Sequence, residues 1–286
     1  MKSKIKRLLP LILLVVAFLA VTLLIYFNSH NIFVFFESNG IFLDPVSFEK
    51  NDEVNFSSYA LSELESDGRV TFDQSLMLVN TEYMLTEGFI PDIAEYKNTD
   101  VYMNACMLEA YASLSAAVGD RFGERLYISS WYRSAEEQAQ LYLDDHTTAT
   151  VVGASEHQTG LALDVYVAYF AGDAFIKSEE GRYVDSECWR YGFIVRYPSF
   201  GEEITGIRFE PWHIRYVGIP HANIIYSNHL TLEEYILSME VGEWYESCGY
   251  LISRQPMTDG TLILPESFDE CTISPDNTGY YIVTVK

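Results

Sequence analysis

Two short blocks carry most of the side chains able to do chemistry. The first reads Ser155-Glu156-His157-Gln158-Thr159-Gly160-Leu161-Ala162-Leu163-Asp164 and the second Glu210-Pro211-Trp212-His213. His157, Asp164 and His213 make the two-histidine, one-carboxylate ligand set of an open zinc site, in which three protein ligands leave a fourth position for water. Such a metal lowers the pKa of that water to about 7, so a nearby carboxylate can complete its deprotonation at neutral pH. Glu210, close before His213 in the chain, is placed to be that base. The pattern points to a zinc hydrolase. His30, His146, His221 and His229 have no comparable surroundings and read as structural or surface residues.

The elements around these residues must bring them together. Residues 161–167 alternate as a strand does, with Leu161, Leu163 and Val165 on one face and Ala162, Asp164 and Tyr166 on the other. An unbroken strand would turn His157 and Asp164 to opposite faces, so Gly160 is expected to mark a bend. Residues 204–209 read as a strand leading into Glu210. Pro211 then blocks ordinary ladder pairing, and a turn there aims Glu210 and His213 inward.

S-E-H-Q-T-G-L-A-L-D followed by E-P-W-H resembles the S-x-H-x-x-G-x-A-x-D and E-x-W-H signatures of the VanY-type D-alanyl-D-alanine carboxypeptidases. Their wider group includes the VanX D,D-dipeptidases and, in fold, the Hedgehog signalling domain. The resemblance runs from about Leu76 to about Met239. It takes in Ser130-Trp131-Tyr132-Arg133-Ser134, where the family has S-G-Y-R-S, and Gly192-Phe193-Ile194-Val195-Arg196-Tyr197-Pro198. It implies one zinc ion on His157, Asp164 and His213, with Glu210 as general base. It implies that Arg133 polarises the scissile carbonyl or holds the substrate, with Ser155 and Gln138 as substrate contacts. Trp131 in place of glycine is the visible departure, at a position that would reshape the pocket beside Arg133.

Composition narrows the class. The 286 residues contain 41 acidic against 18 basic side chains. Nucleic acid is excluded as a partner by that balance, because phosphate binding needs clustered Lys and Arg. Cys106, Cys188, Cys248 and Cys271 show no C-x-x-C spacing. The first two fall in helical patterns and read as buried thiols; the last two flank one late segment, as a disulfide pair would.

Lys2, Lys4, Lys6 and Arg7 precede an uncharged apolar run from Leu8 to Phe27, and no further Lys or Arg occurs before Lys50. A run of about 20 apolar residues is long enough to span a bilayer as a helix. The charge asymmetry puts the N-terminus in the cytoplasm and the body outside. Residues 1–27 are therefore expected to be a basic end and an uncleaved anchor in the cell membrane, through residues 8–27. Residues 28–73 read as an extracytoplasmic stalk, 74–248 as the zinc domain, and 249–286 as a small β-rich appendage.

Within the body, residues 75–80, 126–130 and 193–197 read as strands. A helix is expected from a Thr99 cap to Val118, ended by Gly119, and another from Asp185 through Trp189. Ser134 with Glu137, and Thr231 with Glu234, form capping boxes that start two more helices. Arg133 thus stands just outside a helix N-terminus. Asp259-Gly260 reads as the turn of a hairpin joining residues 251–253 to 261–264. The fold class is α+β, with helices packed on a mainly antiparallel sheet that carries the zinc site. The resemblance implies a substrate ending in D-Ala-D-Ala, presented on a peptidoglycan stem peptide or its lipid-linked precursor. The alternative readings are an L,D-carboxypeptidase, a D,D-dipeptidase or a wall endopeptidase with the same zinc site, and, in another class, a non-catalytic cell-wall binding module. A non-catalytic wall-binding module would need no Glu210.

Overall fold

A computed structural model describes residues 2–41, 43–51, 53–146, 149–257 and 260–286, without the side chains of residues 2–12 and 27. It forms two units, Met1–Phe42 and Leu43–Lys286. The first unit holds the helices Lys2–Phe27 and Ser29–Ser38. Among the described residues no single helix is long and apolar enough to cross a membrane. The pair Leu13–Tyr26 and Ser29–Ser38, bent by 58°, passes on length and composition.

The second unit is α+β. A four-stranded antiparallel sheet runs in the order Tyr127–Ser130, Ala162–Tyr166, His213–Tyr216, Phe193–Val195. Alternation along Ala162–Tyr166 sends Leu163 and Val165 into the core and leaves Asp164 and Tyr166 partly exposed on the other face. The helix Leu108–Phe122 covers the apolar face, packing Tyr111, Leu114 and Val118 against Leu163, Val165, Phe193 and Ile214. This helix starts later than its periodicity suggests. Residues 102–104 pair as a strand with Ile93–Glu95, and the helix closes at Gly123 in the left-handed conformation rather than at Gly119. Both capping boxes are formed, starting the helices Ala135–Asp144 and Leu232–Ser238.

A second sheet of six strands takes the order Glu49–Lys50, Trp244–Ser247, Tyr250–Pro256, Tyr280–Val285, Cys271–Pro275, Val70–Phe72. Phe56–Ala60 pairs separately with Thr261–Pro265. Residues 49–72, read as a connector, therefore supply strands to the C-terminal part of the chain. Their hydrogen-bonding partners lie too far along the sequence to leave a local signal; Lys50 Nζ reaches Glu240 across 190 positions. The hairpin reading fails for the same reason. Residues 250–256 and 261–265 take different strand partners, and the Gln255 side-chain amide bonds Ile263 N and O between them. Asp259 lies outside the described residues.

Other local expectations are corrected by packing. Residues 75–80 form no strand; they run as buried irregular chain whose carbonyls are taken by an arginine, described below. The 185–189 helix begins earlier, as Glu179–Glu187, and passes into a 3-10 turn closed by Gly192 at φ 81°. Residues 204–209 form no strand: Glu202–Thr205 is a short helix closed by Gly206 in the left-handed conformation, and 207–209 run as irregular chain into Glu210. All four cysteines are free, Cys271 buried and Cys248 exposed, so these two do not pair.

The two sheets share a core in which Ile224, Ile225, Tyr235 and Ile236 meet Ile252 and Ile282. His221 lies buried at this junction, bonded through Nδ1 to Tyr235 Oη at 2.7 Å and through Nε2 to Thr284 Oγ1 at 3.0 Å. Burial pushes its pKa down to about 3. An unfolded histidine titrates near 6.5, so between these values the unfolded chain binds the extra proton. The stability contributed by the neutral ring is complete above pH about 6.5 and is lost at roughly 1.4 kcal/mol per unit as pH falls toward 3. His221→Gln, compared with wild type by denaturant unfolding from pH 7 to 4, is expected to show a shallower decline. Equal slopes would contradict this.

Candidate metal centre

The seven residues singled out in the sequence converge on one cleft of about 570 Å³, lined by Arg133, Gln138, Ser155, His157, Asp164, Glu210 and His213 among others. The sheet register does half of this work. Asp164 stands directly opposite His213 across the central strand pair and opposite Ser130 on the other side, past a bulge. Residues directly opposite on antiparallel strands bring their Cβ atoms to about 5 Å. His157 arrives on the 3-10 turn Glu156–Thr159, which Gly160 ends at φ 71°. Asn104 fixes that bend by donating from its backbone to Gly160 O at 2.8 Å and from its side chain to Thr159 O at 3.2 Å.

The two imidazoles present different nitrogens. His157 Nδ1 lies 3.0 Å from Trp131 O. A carbonyl only accepts, so Nδ1 carries the proton and Nε2 turns its lone pair toward Asp164 Oδ2, 3.5 Å away. His213 points Nδ1 at Asp164 Oδ1, 3.1 Å away, and Nε2 at Glu156 Oε2, 3.7 Å away. The ligand atoms of His157, Asp164 and His213 all lie within 4.8 Å of one another. Asp164 Oδ1 is buried without a hydrogen-bond partner among the described residues. Two imidazoles and a carboxylate with an unsatisfied inward oxygen fit a divalent cation of the zinc type.

The electrostatics agree. Burial opposes ionisation of Asp164, yet the flanking imidazoles hold its carboxyl well below the usual range. Burial would depress His213, but Asp164 and Glu156 on either side lift it to about 9. The pocket thus attracts positive charge, as a proton or as a metal. His157 is pushed down by its burial. Glu210 Oε2 lies 3.9 Å from His213 Nδ1, and burial raises the Glu210 carboxyl, which suits a group that must take up and return a proton.

Arg133 is held from two sides, donating to Gln138 Oε1 at 2.7 Å and to Ser130 Oγ at 2.9 Å. Gln138 is fully buried, and its amide nitrogen donates to Thr150 O at 2.6 Å. Both ends of that amide are engaged, so Gln138 orients Arg133 and the 149–151 loop. Ser155 lines the cleft at the cap of the histidine turn. Arg208, which lines the cleft, pairs its Nη1 with Asp173 Oδ1 at 2.5 Å in an exposed ion pair. Trp131 packs against the main core and lines an adjoining groove of about 410 Å³, with Arg133 and Leu141 shared between groove and cleft.

Sequence reading missed a buried ionic group behind the ligands. Glu156 Oε1 accepts from Arg196 Nε at 2.7 Å and from Arg215 Nη1 at 2.5 Å. Arg196 also clasps Glu233 through both terminal nitrogens, at 2.8 and 2.6 Å. Arg215 donates to Ser75 O and Met77 O at 2.9 and 2.7 Å. The available signal was a glutamate inside the first motif and two arginines, Arg196 just after the strand Phe193–Val195 and Arg215 within His213–Tyr216, set among apolar residues.

Comparison with known proteins bears on this geometry. Residues 100–219 match the family model VanY, D-alanyl-D-alanine carboxypeptidase. A D-alanyl-D-alanine carboxypeptidase of Enterococcus faecium is 32% identical over 269 residues, covering 84% of this chain and 85% of that protein. The vancomycin-resistance D,D-dipeptidase VanXYg, solved with a D-Ala-D-Ala phosphinate analogue, superposes with a TM-score of 0.63 at 26% identity. The match covers 81% of this chain and 98% of that one. A vancomycin-resistance D,D-pentapeptidase VanY from a VanB-type cassette, solved as a variant with Zn(II), gives 0.51 at 31% identity over 57% of this chain and 98% of that one.

The buried bend at Gly160 leaves no room for a side chain. A Cβ there would strike Ile93 Cδ1 and stand 2.9 Å from Asn104 N, in a backbone conformation that side chains resist. Gly160→Ala is expected to cost about 1–3 kcal/mol or more and to shift His157, read as a lower melting temperature and weakened metal binding. Wild-type behaviour on both would contradict the role given to the bend.

Proposed function

The chain belongs to the VanY family of D-alanyl-D-alanine carboxypeptidases and is a metallo-D,D-peptidase, and from that premise we propose that it is a zinc-dependent D,D-carboxypeptidase anchored in the cell membrane. It removes the terminal D-alanine from peptidoglycan precursors ending in D-Ala-D-Ala. The observation that carries this reading is the convergence of three metal-ligating side chains, a raised carboxyl and a clasped guanidinium on one cleft.

His157 Nε2, Asp164 and His213 Nδ1 would hold the zinc. Bound there, it would supply Lewis acidity to the attacking water and to the scissile carbonyl. Glu210 takes the proton from the water as its oxygen attacks the carbonyl carbon. Arg133, oriented by Gln138 and Ser130, faces the oxygen that becomes negative, and its fixed fork stabilises that charge. Glu210 then gives its proton to the departing amine as the C–N bond breaks, which releases D-alanine and the shortened peptide. No acyl-enzyme forms, so β-lactams that acylate a serine nucleophile should not inhibit.

The membrane part of the proposal is supported by the basic cluster before residue 8, the uncharged run to Phe27 and the bent helix pair. Residues 8–27 anchor the chain with its N-terminus in the cytoplasm, and residues 74–248 carry the reaction outside. Action on D-Ala-D-Ala termini would remove the group that vancomycin-type glycopeptides bind, a role consistent with the resistance proteins it resembles.

Detergent-solubilised full-length protein, given a stem pentapeptide ending in D-Ala-D-Ala, is expected to release single D-alanine, with loss on chelation and recovery with zinc. Release of the intact dipeptide, or cleavage only of L-Lys-D-Ala ends, would replace this reading. Glu210→Gln should keep its zinc and lose turnover by about 10²–10⁴-fold. Arg133→Ala should lower kcat by about 10²–10³-fold. Near-native turnover in either variant would contradict the roles assigned.

A further inference from the structure

Glu156 lies next to the proposed ligand His157 in sequence, but in space its carboxylate faces another proposed ligand, His213, on the ring nitrogen turned away from Asp164. Its side chain is completely buried. Oxygen Oε1 is saturated by two guanidinium donors, Arg196 Nε and Arg215 Nη1. Oxygen Oε2 faces His213 Nε2 at 3.7 Å. Neither of these two atoms has a hydrogen-bond partner among the described residues, although both are buried. Two buried polar atoms 3.7 Å apart, neither bonded elsewhere among the described residues, define a pair, because either one left alone would carry the full cost of its desolvation.

We propose that Glu156 is a positioning residue for the metal centre. It accepts the Nε2 proton of His213 and so fixes the tautomer that turns the Nδ1 lone pair onto the metal. His157 is fixed by the opposite nitrogen through Trp131 O. The two ligands are thus set by different partners, one a backbone carbonyl and the other a charged carboxylate. A carboxylate behind an imidazole also makes it a stronger ligand. Arg196 and Arg215 have a defined part in this. By occupying Oε1 they leave Oε2 as the carboxylate oxygen free to face the histidine. Glu233 lies one step further out, bonded to Arg196 but not to Glu156.

This inference rests on the zinc site proposed above, and its test separates the two. Glu156→Gln preserves shape but not chemistry. With both arginines donating to one oxygen, the amide must place its carbonyl there and present its NH2 to His213 Nε2. That nitrogen then has to accept, which moves the ring proton to Nδ1, the metal-facing atom. Zinc affinity, measured by chelator competition on the full-length protein in detergent, is expected to fall on the order of 10–100-fold. The visible spectrum of the Co(II)-substituted protein should change with it. Glu233→Gln serves as the comparison. It loosens the same buried group without touching the His213 partner, so it should lower the melting temperature and leave zinc affinity within about threefold of wild type.

A folded Glu156→Gln that binds zinc as tightly as wild type would overturn the role of Glu156 and leave the zinc site standing. Wild type that binds no zinc would overturn both. If Glu156→Gln does not fold, the tautomer can be read in wild type. In zinc-loaded protein with ¹⁵N-labelled histidine, the His213 ring proton should appear on Nε2, shifted downfield by a carboxylate acceptor. A His213 ring proton found on Nδ1, or an Nε2 proton exposed to solvent exchange, would refute the proposal.

Discussion

A carboxylate without water, held between two guanidiniums, is the constraint on which this protein depends. Glu156, Arg196 and Arg215 are all shut off from solvent, with Glu233 nearly so. Desolvating such charges is expensive, and their mutual attraction offsets it only when geometry and hydrogen bonding are nearly complete. Here two positive and two negative side chains balance, and the remaining Arg215 donors are spent on the carbonyls of Ser75, Met77 and Tyr216. Removing one partner of such a group typically costs about 3–5 kcal/mol. The cluster therefore restricts how the chain can be arranged around it.

Three parts of the chain are pinned by that restriction. Arg196 and Arg215 come from the strand region beside His213, Glu156 from the turn that carries His157, and Glu233 from the helix Leu232–Ser238. Asn80 bonds Glu233 as well, so the irregular 75–80 segment is drawn onto the same centre. That segment has no ladder of its own; Arg215 takes the carbonyls of Ser75 and Met77, and the Asn277 side chain takes that of Leu78. The C-terminal sheet joins the body through the neighbouring apolar core and His221. The site rests on a floor whose geometry is set by charge on one side and by close packing on the other.

How much of this was legible beforehand follows from the range of each interaction. His157, Asp164, Glu210 and His213 could be read because residue type and spacing are local and chemically demanding. The bend at Gly160 followed from a strand's two-residue period, and the two capping boxes from side-chain and backbone groups three residues apart. Misreadings fell where partners are remote. Residues 49–72 look like a polar connector until strands near the C-terminus supply their hydrogen bonds. Arg196 and Arg215 meet Glu156 across 40 and 59 positions, which leaves no local signal. The Thr99 start failed because apolar spacing persisted through a strand and a 3-10 turn into the true helix.

The central claim is that His157, Asp164 and His213 bind one zinc ion. Its most direct test is X-ray absorption at the zinc K-edge on stoichiometrically loaded full-length protein, together with the same spectrum from Asp164→Asn. The account predicts one zinc per chain, two imidazole nitrogens and light oxygen or nitrogen scatterers at about 2.0–2.1 Å, and no sulfur, with weaker zinc retention in the variant. A zinc–sulfur distance near 2.3 Å, a single imidazole, or a spectrum and affinity unchanged by Asp164→Asn would place the metal elsewhere and contradict it.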